Sequence, residues 1–327
     1  MRLIKMTDYN YRTMVLGQPI YDSKRRILLT AGRTIDPKIK DRLLDLGISY
    51  IFVEDEVSKG IELDDMLDMP TWTEAIKDVQ EYHELVRDNK KADIRKIQEV
   101  AKKLTNEVKG RVMLVLIPSG AIAKELHLYA HSVNVAILSL LTAKKLGYSD
   151  IRLKDLAVGA LLHDVGKMLT RDYDKHSESG FNHLRFVSQM SIVSAHIAYQ
   201  HHEKVDGTGS PRKIAGKDFI EVAQICGVAN LYENLITKEG MPPHEAMEGI
   251  MAASDIYFDH HIVQSFTHAV PTYPPGTRVI VDNQYPSIVT KVDKHFQRPV
   301  VKILADDRVV DLAEVPTVMI KPDLTAS

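Results

Sequence analysis

One cysteine in 327 residues, Cys226, rules out an internal disulfide and any cysteine-built zinc site, and it suits a reducing compartment. Charge of one sign is also lacking. Lys and Arg total 42 against 44 Asp and Glu, so the net charge of -2 offers no basic field for wrapping a nucleic acid polymer. A phosphate ligand would need a local site. The N-terminus, MRLIKMTDYNYR, has no apolar core of the kind a signal peptide carries, and the longest apolar stretch, VNVAILSLLTA, is short and broken by Asn134 and Ser139. No membrane span and a cytoplasmic location are expected. No internal repeat and no low-complexity tract stands out. What remains is ordinary globular texture, 44% hydrophobic and 26% charged, in a chain long enough for two or three domains.

Periodicity divides the chain. From Met14 to Val53, short β-branched runs (MVLGQPIYD, RRILLTAG, SYIFVE) surround a helix-like PKIKDRLLDLGI, which predicts a small N-terminal α+β module over residues 1–70. The acidic stretch Asp64 to Thr71 reads as a linker. Apolar residues then recur at helical spacing from Trp72 to Ile117, predicting linker helices over 71–120 that either pack on their own domain or pair in a homodimer. Pro118-Ser119-Gly120 breaks the pattern. Successive helical segments with glycine or proline at the joints predict an all-α domain over 121–268, and β-branched runs such as TRVIVDN and RPVVKILADD predict a small β module over 269–327. The expected class is mainly α, with a helical core flanked by two small strand-bearing modules.

Chemistry concentrates in the helical part. Eight of the fourteen histidines fall between His127 and His202, and neutral imidazole is a ligand for divalent Fe, Mn or Zn. The doublet His163-Asp164 closes an apolar run, ALL, where ionisable groups need partners and one cation can satisfy both. Thirty-eight residues on comes His201-His202. His127 and His131 are four apart and share a helix face; a solvated stripe is the simpler reading for His127 but not for His131. Asp164 could bridge two ions. Such a pair can lower the pKa of a shared water from about 15.7 towards about 7 and neutralise phosphate oxygens during in-line displacement. Lys167 would add a point charge for the phosphate, or simply close a helix end. The pair His260-His261 is expected to be exposed, and His183 and His196 are assigned to the surface or to helix packing.

Taken in order, HSVNVA, LLHDVGK, HSESG and HHEKVDGTGSP resemble the signatures of the HD-GYP family, a branch of the HD-domain metal-dependent phosphohydrolases whose typical activity is hydrolysis of cyclic di-GMP. YPPGTRVIV followed by RPVVKIL is similar to the usual tail of such proteins, and the N-terminal module is similar to one often found ahead of the domain. Carried over, the resemblance implies metal ligation by His131, His163, Asp164, His176, His201 and His202, with two divalent ions, Fe or Mn favoured. It places Lys167 against the substrate phosphate. His127 stands where some members carry a glutamate for a third ion.

The sequence departs from the pattern in four places. Ser210 replaces the tyrosine of GYP, although Gly209 and Pro211 keep the turn. Asn230, 29 residues after His201, stands where an aspartate ligand is expected and can offer a carbonyl oxygen but no charge. Only MLTRDYDK separates Lys167 from His176, which predicts an open site. ITKEGMPPHEA lacks the arginine-rich element that lies near the nucleotide, leaving Lys238 as a weak substitute. Two readings therefore stand: a metal-dependent phosphodiesterase acting on cyclic di-GMP or a related phosphoester, and a degenerate domain that binds a nucleotide or partner protein in signalling without turnover.

Overall fold

The structure is a computed structural model that describes residues 1–61, 66–293 and 295–323. Asp64 and Asp65 of the acidic linker lie outside the described residues. About 47% of the chain is helical and the strands are confined to its two ends, so the class is mainly α, as the periodicity predicts.

Two compact units share the chain. The first gathers Met1–Met66, Ile117–His127 and Pro271–Ser327. Its N-terminal part runs β1 (Arg2–Lys5), β2 (Val15–Leu16), β3 (Ile20–Tyr21), β4 (Ile27–Leu29), α1 (Pro37–Asp45) and β5 (Tyr50–Glu54). The sheet order is β1-β5-β2, all antiparallel, with Ile4 opposite Ile51. Because β5 is central, Tyr50, Ile51, Phe52 and Val53 are all buried instead of alternating. α1 starts where Asp36 accepts a hydrogen bond from the Ile39 amide and Pro37 supplies a fixed φ, a cap worth about 1 kcal/mol. Ile4, Met6, Leu16, Leu43, Ile48 and Val53 form its core.

Five further strands close the first unit: β6 (Arg278–Val281), β7 (Tyr285–Lys291), β8 (Val300–Ile303), β9 (Val309–Asp311) and β10 (Ile320–Pro322). They form one antiparallel sheet in the order β10-β6-β7-β8-β9. In β6 and β8 every second residue turns inward, Val279 and Val281 in one, Val301 and Ile303 in the other, the period-2 pattern of a one-sided sheet.

The second unit, Leu67–Leu116 with Leu128–Val270, is helical. It comprises α2 (Met69–Arg87), α3 (Ile94–Gly110), α4 (His127–Lys145), α5 (Asp150–Leu161), α6 (His176–Leu184), α7 (Ile192–Gln200), α8 (Glu221–Thr237), α9 (Pro243–Ala252) and α10 (His260–Thr267). α2 and α3 begin at Asp68 and Asp93, whose side chains accept from the amides of Thr71 and Arg95. On α3 Ile94, Ile97, Val100, Ala101, Leu104 and Val108 are buried, a single helical face turned onto the unit's own core. Lys144 holds the end of α3 by donating to the carbonyls of Val108 and Arg111 at 2.9 and 2.6 Å.

α4 is the core helix. Every residue from Tyr129 to Ala143 is buried, which is why the stretch reads as apolar all round. The segment Lys124–Lys145 is long and apolar enough to cross a membrane by composition, yet 89% of its most apolar window is buried inside the protein, as in a core helix. α6, built on HSESGFNHL, is a helix the periodicity did not signal, being short and polar on its outer face.

Candidate metal centre

Four segments deliver the candidate ligands. α4 carries His131, the turn after α5 carries His163 and Asp164, the first residue of α6 is His176, and the end of α7 gives way to His201 and His202. They form two groups, His131 with His163 and Asp164, and His176 with His201 and His202; within each, the ligand atoms lie within 4.8 Å of one another. The helices stop where the ligands begin. α5 ends at Leu161 and the 3-10 turn Val165–Met168 follows, so the doublet sits at a bend that packs against α6. Gly166 allows that packing, because a Cβ there would lie 1.9 Å from the His176 carbonyl oxygen and 2.7 Å from the Gly180 nitrogen.

Asp164 stands between the groups. Its Oδ2 is 3.4 Å from His163 Nε2 and 3.8 Å from His131 Nε2, while its Oδ1 is 3.3 Å from His176 Nε2 and 3.7 Å from His201 Nε2. One oxygen faces each group.

The other ring nitrogens decide what Nε2 can do. His163 Nδ1 lies 2.7 Å from the Ala160 carbonyl, His201 Nδ1 lies 2.9 Å from the Ala198 carbonyl, and His176 Nδ1 meets the Tyr173 carbonyl. A carbonyl only accepts, so each Nδ1 carries the hydrogen and each Nε2 presents a lone pair. His131 is oriented by a carboxylate instead: its Nδ1 donates to Glu233 Oε2 at 2.5 Å. Glu233 is 1% exposed and its Oε1 accepts from Asn134 Nδ2 and Thr237 Oγ1, at 3.2 and 2.9 Å. Asn134 Oδ1 in turn accepts from Trp72 Nε1 at 3.0 Å.

Lone pairs therefore converge on lone pairs. His176 Nε2 and His201 Nε2 are 3.3 Å apart, and the Nε2 atoms of His131, His163 and His202 and Asp164 Oδ1 are buried with no hydrogen-bond partner among the described residues. Only a cation between them makes such an arrangement favourable. Protonating His163, His201 or His202 is not the solution, since burial holds His163 low and His201 well below the ordinary histidine value and pushes His202 down to about 3. Burial works to raise the Asp164 carboxyl, but His163 and the Lys167 amine outweigh it and hold it well below the usual carboxylate range. Neutral imidazoles around an ionised carboxylate are a donor set that divalent Fe, Mn or Zn fits.

Lys167 Nζ lies 2.5 Å from Asp164 Oδ2 and is partly open to solvent. Beside the histidines is a cavity of about 380 Å³ lined by His201, His202, Asn230, Asn234, Lys238 and Tyr257 among others. Asn230 is thus beside the second group, its Oδ1 accepting from Asn234 Nδ2 at 2.9 Å. Lys238 caps α8, and its amine is held below the ordinary lysine value by burial and by the charge of Lys167. The turn after His202 is pinned by Glu203, whose carboxylate accepts from the amides of Arg212 and Ile214 at 2.7 and 3.2 Å, and by the Ser210 amide donating to the His202 carbonyl at 3.0 Å. A Cβ at Gly209 would lie 2.4 Å from Glu203 Cα, so glycine is required there while Ser210 is exposed.

His127 joins neither group: its Nε2 is 2.8 Å from the Ile122 carbonyl. His196 packs on Phe181 with ring centroids 4.8 Å apart. Sequence reasoning missed Glu233, Asn134 and Trp72. A signal for the first two existed, since Asn134 lies three residues after His131 and interrupts the apolar run of α4, and Glu233 lies three after Asn230 on α8.

The family model of the HD domain matches residues 128–240, the segment that carries the six ligand candidates and the Asn230 to Lys238 face of α8. A cyclic di-GMP phosphodiesterase of Pseudomonas aeruginosa is 27% identical over 213 residues, covering 56% of this chain and 51% of the relative. A 3'3'-cGAMP-specific phosphodiesterase of Vibrio cholerae is 30% identical over 128 residues, covering 35% of this chain and 28% of the relative. The chain spans about half the length of the curated relatives it matches first. Among solved structures, an HDG"Y"P protein of Bdellovibrio bacteriovorus shares the fold with a TM-score of 0.50 at 18% identity, over 81% of this chain and 97% of that one. Over residues 128–240 the chain is thus similar to HD domains, in line with the resemblance that the motifs carry.

Proposed function

We propose that this HD domain is a metal-dependent phosphodiesterase that hydrolyses cyclic di-GMP or a related cyclic dinucleotide. The observation that carries the reading is Asp164, which turns one oxygen to each of two histidine groups, with the Nε2 atoms of His131, His163 and His202 buried and without a hydrogen-bond partner among the described residues. His131, His163 and Asp164 would hold one divalent ion, and His176, His201 and His202 the other, with Asp164 shared and Fe or Mn as the metal. Bound there, the ions supply charge for the phosphate oxygens and a water acidic enough to lose its proton near neutral pH.

The chain's own residues do the rest. Glu233 and the carbonyls of Ala160, Ala198 and Tyr173 fix each ring so that Nε2 faces inward. Lys167 neutralises Asp164 and, from its partly open position, reaches a phosphate as a point charge. Lys238 adds a second amine along the cavity wall, opposite no arginine. The names of the relatives support the substrate class, since they are called phosphodiesterases of cyclic di-GMP or of 3'3'-cGAMP.

Asn230 supports a second reading, binding without turnover. A neutral oxygen already accepting from Asn234 adds no charge to the second group, so an ion held there is held more weakly. One experiment separates the two. Purified protein loaded with Mn or Fe is assayed for cleavage of cyclic di-GMP, with His163→Ala and Asp164→Ala as controls. Turnover that both substitutions abolish supports the enzyme; protein that holds metal, binds the dinucleotide and leaves it intact supports binding alone.

A further inference from the structure

Tyr173 lies in the short segment between Lys167 and His176, and it serves the site through two different groups. Its carbonyl accepts the His176 Nδ1 hydrogen. Its ring is left largely outside: Tyr173 is 60% exposed, with the ring centroid 5.1 Å from that of His176 and 6.0 Å from that of His202. Lys167 Nζ is 5.7 Å from the same ring. An aromatic ring so exposed contributes little to folding through burial, whereas a flat π-face beside a phosphate-binding amine is what a nucleotide presents its two ends to. Position 210, in the turn on the other side of His202, holds an exposed serine and offers no such surface.

We propose that Tyr173 is the stacking platform for a purine base of the substrate, so that Lys167 takes the phosphate and the neighbouring ring takes the base. The inference rests on the proposed cyclic dinucleotide reading and adds to it the residue that selects for a base. Stacking is sequence-tolerant, so either guanine or adenine would be accepted on this ring.

The test compares Tyr173→Ala, Tyr173→Phe and the unsubstituted protein, metal-loaded, on cyclic di-GMP, with metal per chain measured for each. Tyr173→Ala should raise KM for cyclic di-GMP roughly five- to a hundredfold with kcat nearly unchanged. Tyr173→Phe should restore KM, because stacking needs the ring and not the hydroxyl. Metal per chain should be equal in all three proteins, because alanine and phenylalanine keep the backbone carbonyl that meets His176 Nδ1. An unaltered KM for Tyr173→Ala, or a fall in kcat together with loss of metal, overturns the proposal, the latter by assigning Tyr173 a purely structural role. If no variant turns over any cyclic dinucleotide, the activity reading fails on its own, and binding still decides. Tyr173→Trp adds an exposed indole to a chain whose single other tryptophan, Trp72, is fully buried. Its fluorescence should be quenched on titration with cyclic di-GMP, and a signal that does not change overturns the stacking role.

Discussion

Glu233→Gln exchanges one carboxylate oxygen for an amide NH2 at constant shape, and the surrounding bonds leave that amide no good orientation. Trp72 Nε1 can only donate, so it fixes Asn134 Oδ1 as its acceptor and turns Asn134 Nδ2 towards Glu233 Oε1. If the new amide keeps its oxygen on that side, its NH2 faces His131 Nδ1, which must then accept. The ring hydrogen moves to Nε2, the atom 3.8 Å from Asp164, and Nε2 ceases to be a ligand. If the amide turns over, NH2 meets NH2 in a place only 1% exposed. Loss of an outer partner of a ligating histidine costs about 10- to 100-fold in metal affinity, or about 1.4 to 2.7 kcal/mol. Competition with a chelator, read as Mn bound per chain, measures it directly. Thr237→Val is the control, since it removes a donor from Oε1 and leaves the bond to His131 in place. Binding by Glu233→Gln within about twofold of the unsubstituted protein would refute the tautomer argument.

Gly166→Ala forces a methyl group into the backbone of α6 at 1.9 Å from the His176 carbonyl, so thermal stability should fall by roughly 1 to 3 kcal/mol and metal content with it; an unchanged melting midpoint would show that the bend can shift freely. Asn230→Asp should add a charged oxygen beside His202 and raise occupancy at limiting free metal about tenfold, and no gain in metal would remove position 230 from the ligand set. His83, fully buried with Nδ1 2.9 Å from the Val79 carbonyl, is pushed by burial from the ordinary 6.5 down to about 4. The unfolded chain therefore takes up a proton below pH 6.5 that the folded chain refuses until about pH 4. Stability is complete above that window and is lost as pH falls through it, by up to about 3 kcal/mol. Replacing the ring, as in His83→Leu, should flatten the pH dependence of the metal-free protein's melting midpoint between pH 6.5 and 4; an equally steep fall would place the effect elsewhere.

Much of the helical domain was legible because its signals are local. Apolar spacing from Trp72 to Ile117 and glycine or proline at the joints are each set within a few residues. α6 was not legible: nine residues with histidine, serine and glutamate at the start give too little periodicity, and tertiary contact through Gly166 and Gly180 holds them helical. The domain units show the same division. Strand patterns identify the two terminal β segments, but nothing in a linear pattern brings Met1–Met66 and Pro271–Ser327 into one compact unit with Ile117–His127.

The site divides along the same line. By itself the sequence determined the candidate ligand types and where they would stand in local structure, because a doublet after an apolar run and a doublet at a helix end are matters of spacing, and it determined that position 230 carries no charge. Tertiary structure decided which atoms face which. Glu233 reaches His131 across 102 residues, His176 meets His201 across 25, and Asp164 turns one oxygen to each histidine group. Those relations depend on how α4, α6, α7 and α8 pack, and a neutral imidazole becomes a ligand only when packing commits its other nitrogen to a partner that can do nothing but accept.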